Sequence, residues 1–126
     1  MLLIRKKILI VDDNNTDLLL AKNILEKENG LLETFTAKSG EEGIKKASDN
    51  DIDLAILDIR MPGIDGFETC KRIKALKPDI KVLILTGIEE PLNIKLASEA
   101  GVDLFTTKNL MEYTLYRSIK KVLDLN

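Results

Sequence analysis

Four short stretches carry residues able to do polar chemistry, and each follows an apolar run: Asp12-Asp13, Asp58, Thr86-Gly87 and Lys108. Three carboxylates brought together repel one another unless a cation sits among them. Mg2+ suits such a cluster, because it takes hard oxygen ligands, with one or two carboxylates, waters and a phosphate oxygen completing an octahedral shell. Lys108 would add a fixed positive charge, and the Thr86 hydroxyl and the Gly87 N–H would add hydrogen-bond donors. Together these groups can neutralise a phosphoryl group in transfer, a reaction that depends mainly on electrostatics and positioning. Asp58 is then the candidate nucleophile, attacking phosphorus to form an aspartyl phosphate.

The composition narrows the chemistry further. Among 126 residues there is no His and only one Cys, Cys70. That excludes Ser-His-Asp and Cys-His catalysis, a His-based zinc site, an internal disulfide and a multi-Cys metal site. Nineteen Lys and Arg against 21 Asp and Glu give a net charge of −2, and the basic residues are scattered. No direct nucleic-acid contact is expected from such a pattern. The opening Met1-Leu2-Leu3-Ile4-Arg5-Lys6-Lys7 reads as neither signal peptide nor membrane span, which makes the reducing cytoplasm the expected compartment.

The elements that must position these residues alternate along the chain. Residues 7–11 form a continuous apolar, β-branched run, as in a parallel strand buried on both faces. Residues 16–28 change to helical spacing, with Asn14 or Asn15 as cap and Asn29-Gly30 as stop. The pattern repeats: strands over 32–37, 54–57, 81–85 and 102–107, and helices from 40 to 47, 67–75, 92–100 and 110–123. Ser39 and Glu42 have capping-box spacing, and Pro91 sits at a first helical position. Pro62, Gly63 and Gly66 make a turn-rich loop after Asp58. Five strand–helix units imply one doubly wound parallel sheet with five helices on its two faces. Ligands in such sheets bind beyond the carboxyl ends of the strands, where all four polar stretches fall.

Each residue also has a plainer reading. Asp12-Asp13 could be a solvated turn, Asp58 a loop cap, Thr86 a strand end, Lys108 a surface lysine and Phe105 a core aromatic. Their joint placement at neighbouring strand ends favours the metal and phosphoryl site. Flavin binding is disfavoured, since a flavin phosphate needs small and hydroxyl residues where Asp12-Asp13 would oppose it. Cys70 reads as a small, half-buried residue without redox meaning. Tyr113 and Tyr116 lie off the Met111, Leu115, Ile119, Val122 stripe, so both are expected to face outward, with snorkelling over apolar neighbours favoured over a partner surface.

The runs Ile10-Val11-Asp12-Asp13-Asn14, Leu57-Asp58-Ile59-Arg60-Met61-Pro62-Gly63-Ile64-Asp65-Gly66, Leu85-Thr86-Gly87 and Phe105-Thr106-Thr107-Lys108 stand in order and register. In them the sequence closely resembles the response-regulator receiver domain of two-component signalling, and more narrowly its chemotaxis-regulator-like single domains. The resemblance runs from about Lys6 to Leu123. It implies a flavodoxin-like three-layer sandwich, with Asp58 as phosphoacceptor. It further implies Mg2+ held directly by Asp13, Asp58 and the Arg60 carbonyl, with Asp12 acting through water. Lys108 would contact the phosphoryl oxygen, Thr86 would be the switch hydroxyl, Phe105 the aromatic that rotates inward and Gly87 a backbone phosphoryl contact.

The same resemblance implies a phosphoryl donor in the form of a histidine kinase or histidine phosphotransfer protein. Signalling would run through the face of the fourth helix, fifth strand and fifth helix, toward a downstream protein, an output domain or a homodimer formed on phosphorylation. Catalysis would be confined to the chain's own phosphorylation and slow autodephosphorylation, with no turnover of an external substrate. Residues 1–126 read as a single receiver domain without an output domain, either stand-alone or excised from a larger protein. Two rivals are a degenerate receiver acting as a phosphorylation-independent binding module and a Mg2+-dependent phosphohydrolase. The complete Asp12, Asp13, Asp58, Thr86, Lys108 set opposes the first, and Asp58-Ile59-Arg60 lacks the nearby general acid that the second needs.

Departures from the family pattern set two further expectations. Asn109 stands where most receivers have a cis proline, and a non-proline cis bond costs about 2.5–4 kcal/mol. A trans bond and a less rigidly held Lys108 are therefore expected. Arg60 and Ile88 occupy positions that tune phosphoaspartate hydrolysis in the family. Neither is a carboxylate or amide able to orient a water, so a long-lived phosphoryl group is expected.

Overall fold

The computed structural model describes residues 5–27, 30–87, 94–109 and 111–125. Its elements run β1 (Lys6–Val11), α1 (Asn15–Glu26), β2 (Leu32–Ala37), α2 (Gly40–Asp49), β3 (Leu54–Leu57), α3 (Gly66–Leu76), β4 (Lys81–Thr86), α4 (Ile94–Ala100), β5 (Leu104–Thr107) and α5 (Met111–Val122). The strands form one parallel sheet in the order β2-β1-β3-β4-β5. The sequence expectation of a doubly wound five-stranded sheet is met.

Side chains on a strand alternate between faces, so a strand covered on both sides must be apolar throughout. Ile8, Ile10, Leu54, Ile56, Leu83 and Leu85 pack on one face with Leu18, Ala21 and Leu25 of α1 and Met111, Leu115 and Ile119 of α5. Leu9, Val11, Ala55, Leu57, Val82 and Ile84 pack on the other, with Ala47 of α2, Cys70 and Ile73 of α3 and Ala100 of α4. Each buried Leu or Ile contributes roughly 1.5–3 kcal/mol from leaving water. These two cores hold the strand ends in fixed register, which is what a site shared among four strands requires.

The helix starts follow local chemistry. Asn14 is the cap of α1, and its side chain accepts the Asp17 N–H. Ser39 caps α2 by accepting the Glu42 N–H, but the Glu42 carboxylate reaches back to the Lys38 N–H at 2.9 Å rather than to Ser39 itself. That variant of the capping box holds the Glu42 carboxyl below its usual pKa, chiefly through the Lys38 hydrogen bond. Asp65 caps α3 through the Glu68 N–H, so this helix begins at Gly66, one residue earlier than its spacing suggests.

Strand β5 is shorter than expected. The Asp103 N–H still donates to the Val82 carbonyl at 2.9 Å, but the Val82 N–H is taken by the Asp103 carboxylate at 2.8 Å in place of a backbone carbonyl, and that carboxylate also pairs with Lys74 of α3. The ladder therefore opens at Leu104. The expected helix start at Pro91 and Leu92, together with Ile88, Asn29, Leu110 and residues 1–4, lies outside the described residues. Among the described residues no helix is long and apolar enough to cross a membrane.

Candidate functional site

The β1 and β3 ends are neighbours in the sheet, and the ladder continues past both strands: the Asp58 N–H donates to the Val11 carbonyl and the Asp12 N–H to that of Ala37, each at 3.0 Å. This pairing carries Asp12, Asp13 and Asp58 to one edge, at the point where the strand order reverses direction around β1. Carboxylate oxygens from the three residues lie within 4.8 Å of one another. Asp12 is buried, Asp58 half-buried and Asp13 exposed, so the cluster opens to solvent on one side.

The loop after β3 is folded tightly against Asp58. The Ile59 N–H donates to the Asp58 carboxylate at 3.0 Å, and the Gly66 N–H to the Ile59 carbonyl at 2.8 Å. A Cβ at Gly66 would lie 2.2 Å from the Asp58 carbonyl oxygen, so only glycine lets α3 begin there. Across the sheet, the Lys108 N–H donates to the Thr86 carbonyl at 2.8 Å, fixing the β5 end against β4. The peptide bond to Asn109 is trans, as expected.

The Lys108 ammonium reaches back over the strand ends to the acidic cluster. It stands 2.8 Å from Asp12, 3.5 Å from Asp58 and 2.7 Å from Asp17 of α1. These contacts place Lys108 at the cluster with Asn109, not proline, following it. Burial works to lower the Lys108 pKa, but the Asp12 and Asp17 hydrogen bonds and the surrounding negative charge outweigh it and raise it well above the usual lysine range. Burial, reinforced by the Asp12 charge, pushes the Asp58 carboxyl up to about 6, and Lys108 and the Ile59 N–H offset this only in part. Desolvation penalises the anion more than one shared lysine relieves it.

Thr86 is buried at the β4 end, and its hydroxyl donates to the Gly87 carbonyl at 3.2 Å. A Cβ at Gly87 would meet no atom within 4 Å, so the space beside this strand end is open. Phe105 is half-buried against the α2–α3–α4 core, and Arg60, two residues after Asp58, is exposed. Asp12, Asp13, Asp58, Thr86 and Lys108 therefore stand together at the carboxyl ends of β1, β3, β4 and β5, whereas Phe105 lies inside β5 opposite Ile84. Asp17 is the participant that the sequence reading missed. It sits four residues after Asp13, in the first turn of α1, but an acid in a first helical turn has an ordinary explanation in the helix dipole.

Two peripheral expectations need correction. Cys70 is fully rather than half-buried; its thiol donates to the Ala100 carbonyl, and burial pushes its pKa up to about 12. Tyr113 faces solvent, but Tyr116 packs on the α1–α5 core with Lys120 over its ring, so the two tyrosines do not share an outward face. Residue 116 lies one position from Leu115, close enough on the helix for its ring to lean onto the apolar stripe.

Residues 8–120 match the family described as the response regulator receiver domain. The chain is 35% identical over 118 residues to the alkaline phosphatase synthesis transcriptional regulatory protein PhoP of Bacillus subtilis, covering 94% of this chain and 48% of that protein. It is 32% identical over 123 residues to sporulation initiation phosphotransferase F of the same organism, covering 98% of each. A solved CheY-like receiver domain protein from Methanospirillum hungatei superposes with a TM-score of 0.88 at 33% identity, covering 96% and 95% of the two chains. The chain spans about half the length of several curated relatives it matches, PhoP among them.

A sheet of this order with a carboxylate cluster and a lysine at its carboxyl edge defines a receiver-type signalling domain. The chain belongs to the response regulator receiver family of two-component systems. Members of this family take a phosphoryl group from histidine kinases onto an aspartate, use Mg2+ at an acidic pocket, and pass the signal to partners or output domains.

Proposed function

We propose that this domain is a phosphorylation-activated switch in which Asp58 accepts the phosphoryl group. The observation that carries this reading is the convergence of Asp12, Asp13 and Asp58 oxygens within 4.8 Å, with the Lys108 ammonium bound over the same cluster. Three carboxylates with one half-buried member form a donor set of the hardness Mg2+ selects. Asp13, Asp58 and the Arg60 carbonyl would hold the ion directly and Asp12 through water. The ion would supply charge neutralisation for the phosphoryl oxygens.

The chain's own groups do the rest. The Asp58 carboxylate attacks phosphorus of a phosphohistidine; a P–O bond forms, the P–N bond breaks, and the imidazole leaves with that electron pair and takes a proton. Lys108 supplies a positive charge to a phosphoryl oxygen, and the Gly87 N–H and Thr86 hydroxyl supply hydrogen bonds beside it. Turning toward the phosphoryl group, the Thr86 hydroxyl gives up a long 3.2 Å bond to Gly87, and Phe105 moves inward into the space it leaves. The half-buried state of Phe105 supports that role, because a ring already at the core boundary can change burial without unfolding its strand.

Readout is assigned to the α4–β5–α5 face, where Ile94 and Tyr113 are 72% and 69% exposed, through a downstream protein, an output domain or a second receiver. Assembly of the complete acidic and lysine set favours this reading over a phosphorylation-independent binding module. The test is chemical mapping: after phosphorylation, borohydride reduction of an acyl phosphate at residue 58 yields homoserine in the peptide carrying that position. Homoserine at any other aspartate contradicts the assignment.

A further inference from the structure

Asp17 has no part in the phosphoryl chemistry above, yet it makes the shortest contact of the Lys108 ammonium, 2.7 Å against 2.8 Å to Asp12 and 3.5 Å to Asp58. Both partners are partly shielded: the Lys108 side chain is 18% exposed and that of Asp17 33%. The Asn14 cap on the Asp17 N–H fixes the first turn of α1, which orients Asp17 toward the site. Asp17 stands outside the group of three carboxylates that lie close enough together to share a metal ion.

An ammonium offers three N–H donors. Here the two short contacts go to Asp12 and Asp17, and Asp58 is left with the long one. A cation among Asp12, Asp13 and Asp58 would draw on the Asp12 charge but not on that of Asp17. Asp17 is therefore the competitor for Lys108 that persists once the metal has bound.

We infer that Asp17 is a positioning residue: it holds the Lys108 ammonium on the α1 side of the site, away from Asp58, and so sets how readily a phosphoryl group on Asp58 recruits the lysine. This rests on the reading of Asp58 as phosphoacceptor. The first turn of α1 would tolerate Asn at position 17, since the amide keeps the size of the side chain while losing the ion pair.

The test is a 19F NMR titration of beryllofluoride, an aspartyl phosphate mimic, at saturating Mg2+ on the parent chain, Asp17→Asn, Lys108→Ala and the double variant, with Asp58→Ala as control. Loss of the ordered pair predicts binding tighter by roughly two- to fivefold in Asp17→Asn, the range an ion pair of this exposure supports. In the Lys108→Ala background the same substitution should change nothing. An equal gain in both backgrounds would mean simple charge repulsion of the anion and would overturn the inference, as would no gain in either. If Lys108→Ala binds too weakly to titrate, a crystal structure of Asp17→Asn decides: Lys108 must move closer to Asp58 than 3.5 Å, and an unmoved lysine overturns the inference. Failure of the parent chain itself to bind, or binding that survives Asp58→Ala, overturns the phosphoacceptor reading and this inference with it.

Discussion

The Asp58 carboxylate and the Lys108 ammonium stand 3.5 Å apart, yet the lysine does not hold the aspartate at an ordinary pKa. Lys108 is engaged mainly by Asp12 and Asp17, so Asp58 keeps most of its burial penalty. A carboxyl whose pKa is raised in the folded state binds its proton more tightly there than in the unfolded chain. Its penalty is absent below the ordinary value of 3.8, grows as pH rises toward about 6, and persists above that. Metal-free Asp58→Asn is therefore expected to be more stable than the parent at pH 7 by on the order of 1–3 kcal/mol. Urea unfolding in chelator at a series of pH values checks this; a gain that persists unchanged at the acid end would contradict it.

Mg2+ should narrow that difference. An ion bound by the folded state alone stabilises by about 1.4 kcal/mol at ten times its dissociation constant. The parent chain gains this increment, and Asp58→Asn and Asp13→Asn lose most of it. Asp13 is exposed, so its replacement removes a ligand without opening the core. Thermal unfolding with and without Mg2+ makes the comparison, and equal gains in all three proteins would place the ion elsewhere.

Gly66 is expected to be intolerant of even a methyl group. Its Cβ position is 2.2 Å from the Asp58 carbonyl oxygen and 2.9 Å from the Ile59 Cα, and both obstacles are backbone that cannot rotate aside. Gly66→Ala should cost about 1–3 kcal/mol from overpacking and displace the loop that sets Asp58. Denaturation measures the first effect, and the rate of phosphoryl uptake the second. Gly87→Ala is the contrasting control, since its Cβ meets open space and should leave stability within about 0.5 kcal/mol.

The phosphoryl group is expected to be long-lived. Arg60, two residues after Asp58, is exposed, and a guanidinium has no acceptor with which to orient an attacking water. Arg60→Asn should shorten the lifetime by introducing such a group. Decay of the phosphoprotein after removal of the donor provides the measurement, and loss as fast as in rapid chemotaxis regulators contradicts the expectation.

Much of this arrangement was legible in the residues because the strands end so sharply. Val11 to Asp12 and Leu57 to Asp58 each step from a buried apolar run to a carboxylate, and parallel pairing brings such steps to the same edge. What escaped was set by tertiary reach. Asp17 meets a lysine 91 positions away, a contact that depends on the phase of α1 and the length of the Lys108 side chain. Asp103 looks like the interior of a strand by its neighbours Val102 and Leu104, and these do not reveal that its side chain, not a backbone carbonyl, takes the Val82 N–H. The division between Tyr113 and Tyr116 turned on the small angular difference that leaves one ring in solvent and lets the other cover the core.

Intact-protein mass after incubation with acetyl phosphate tests the central claim most directly, run with Mg2+, with a chelator, and beside Asp58→Ala. One added phosphoryl group only when Mg2+ and Asp58 are both present is the predicted result. Phosphorylation that survives Asp58→Ala or metal removal would contradict the account. So would a chain that takes up neither a phosphoryl group nor beryllofluoride, which would leave phosphorylation-independent binding as its activity.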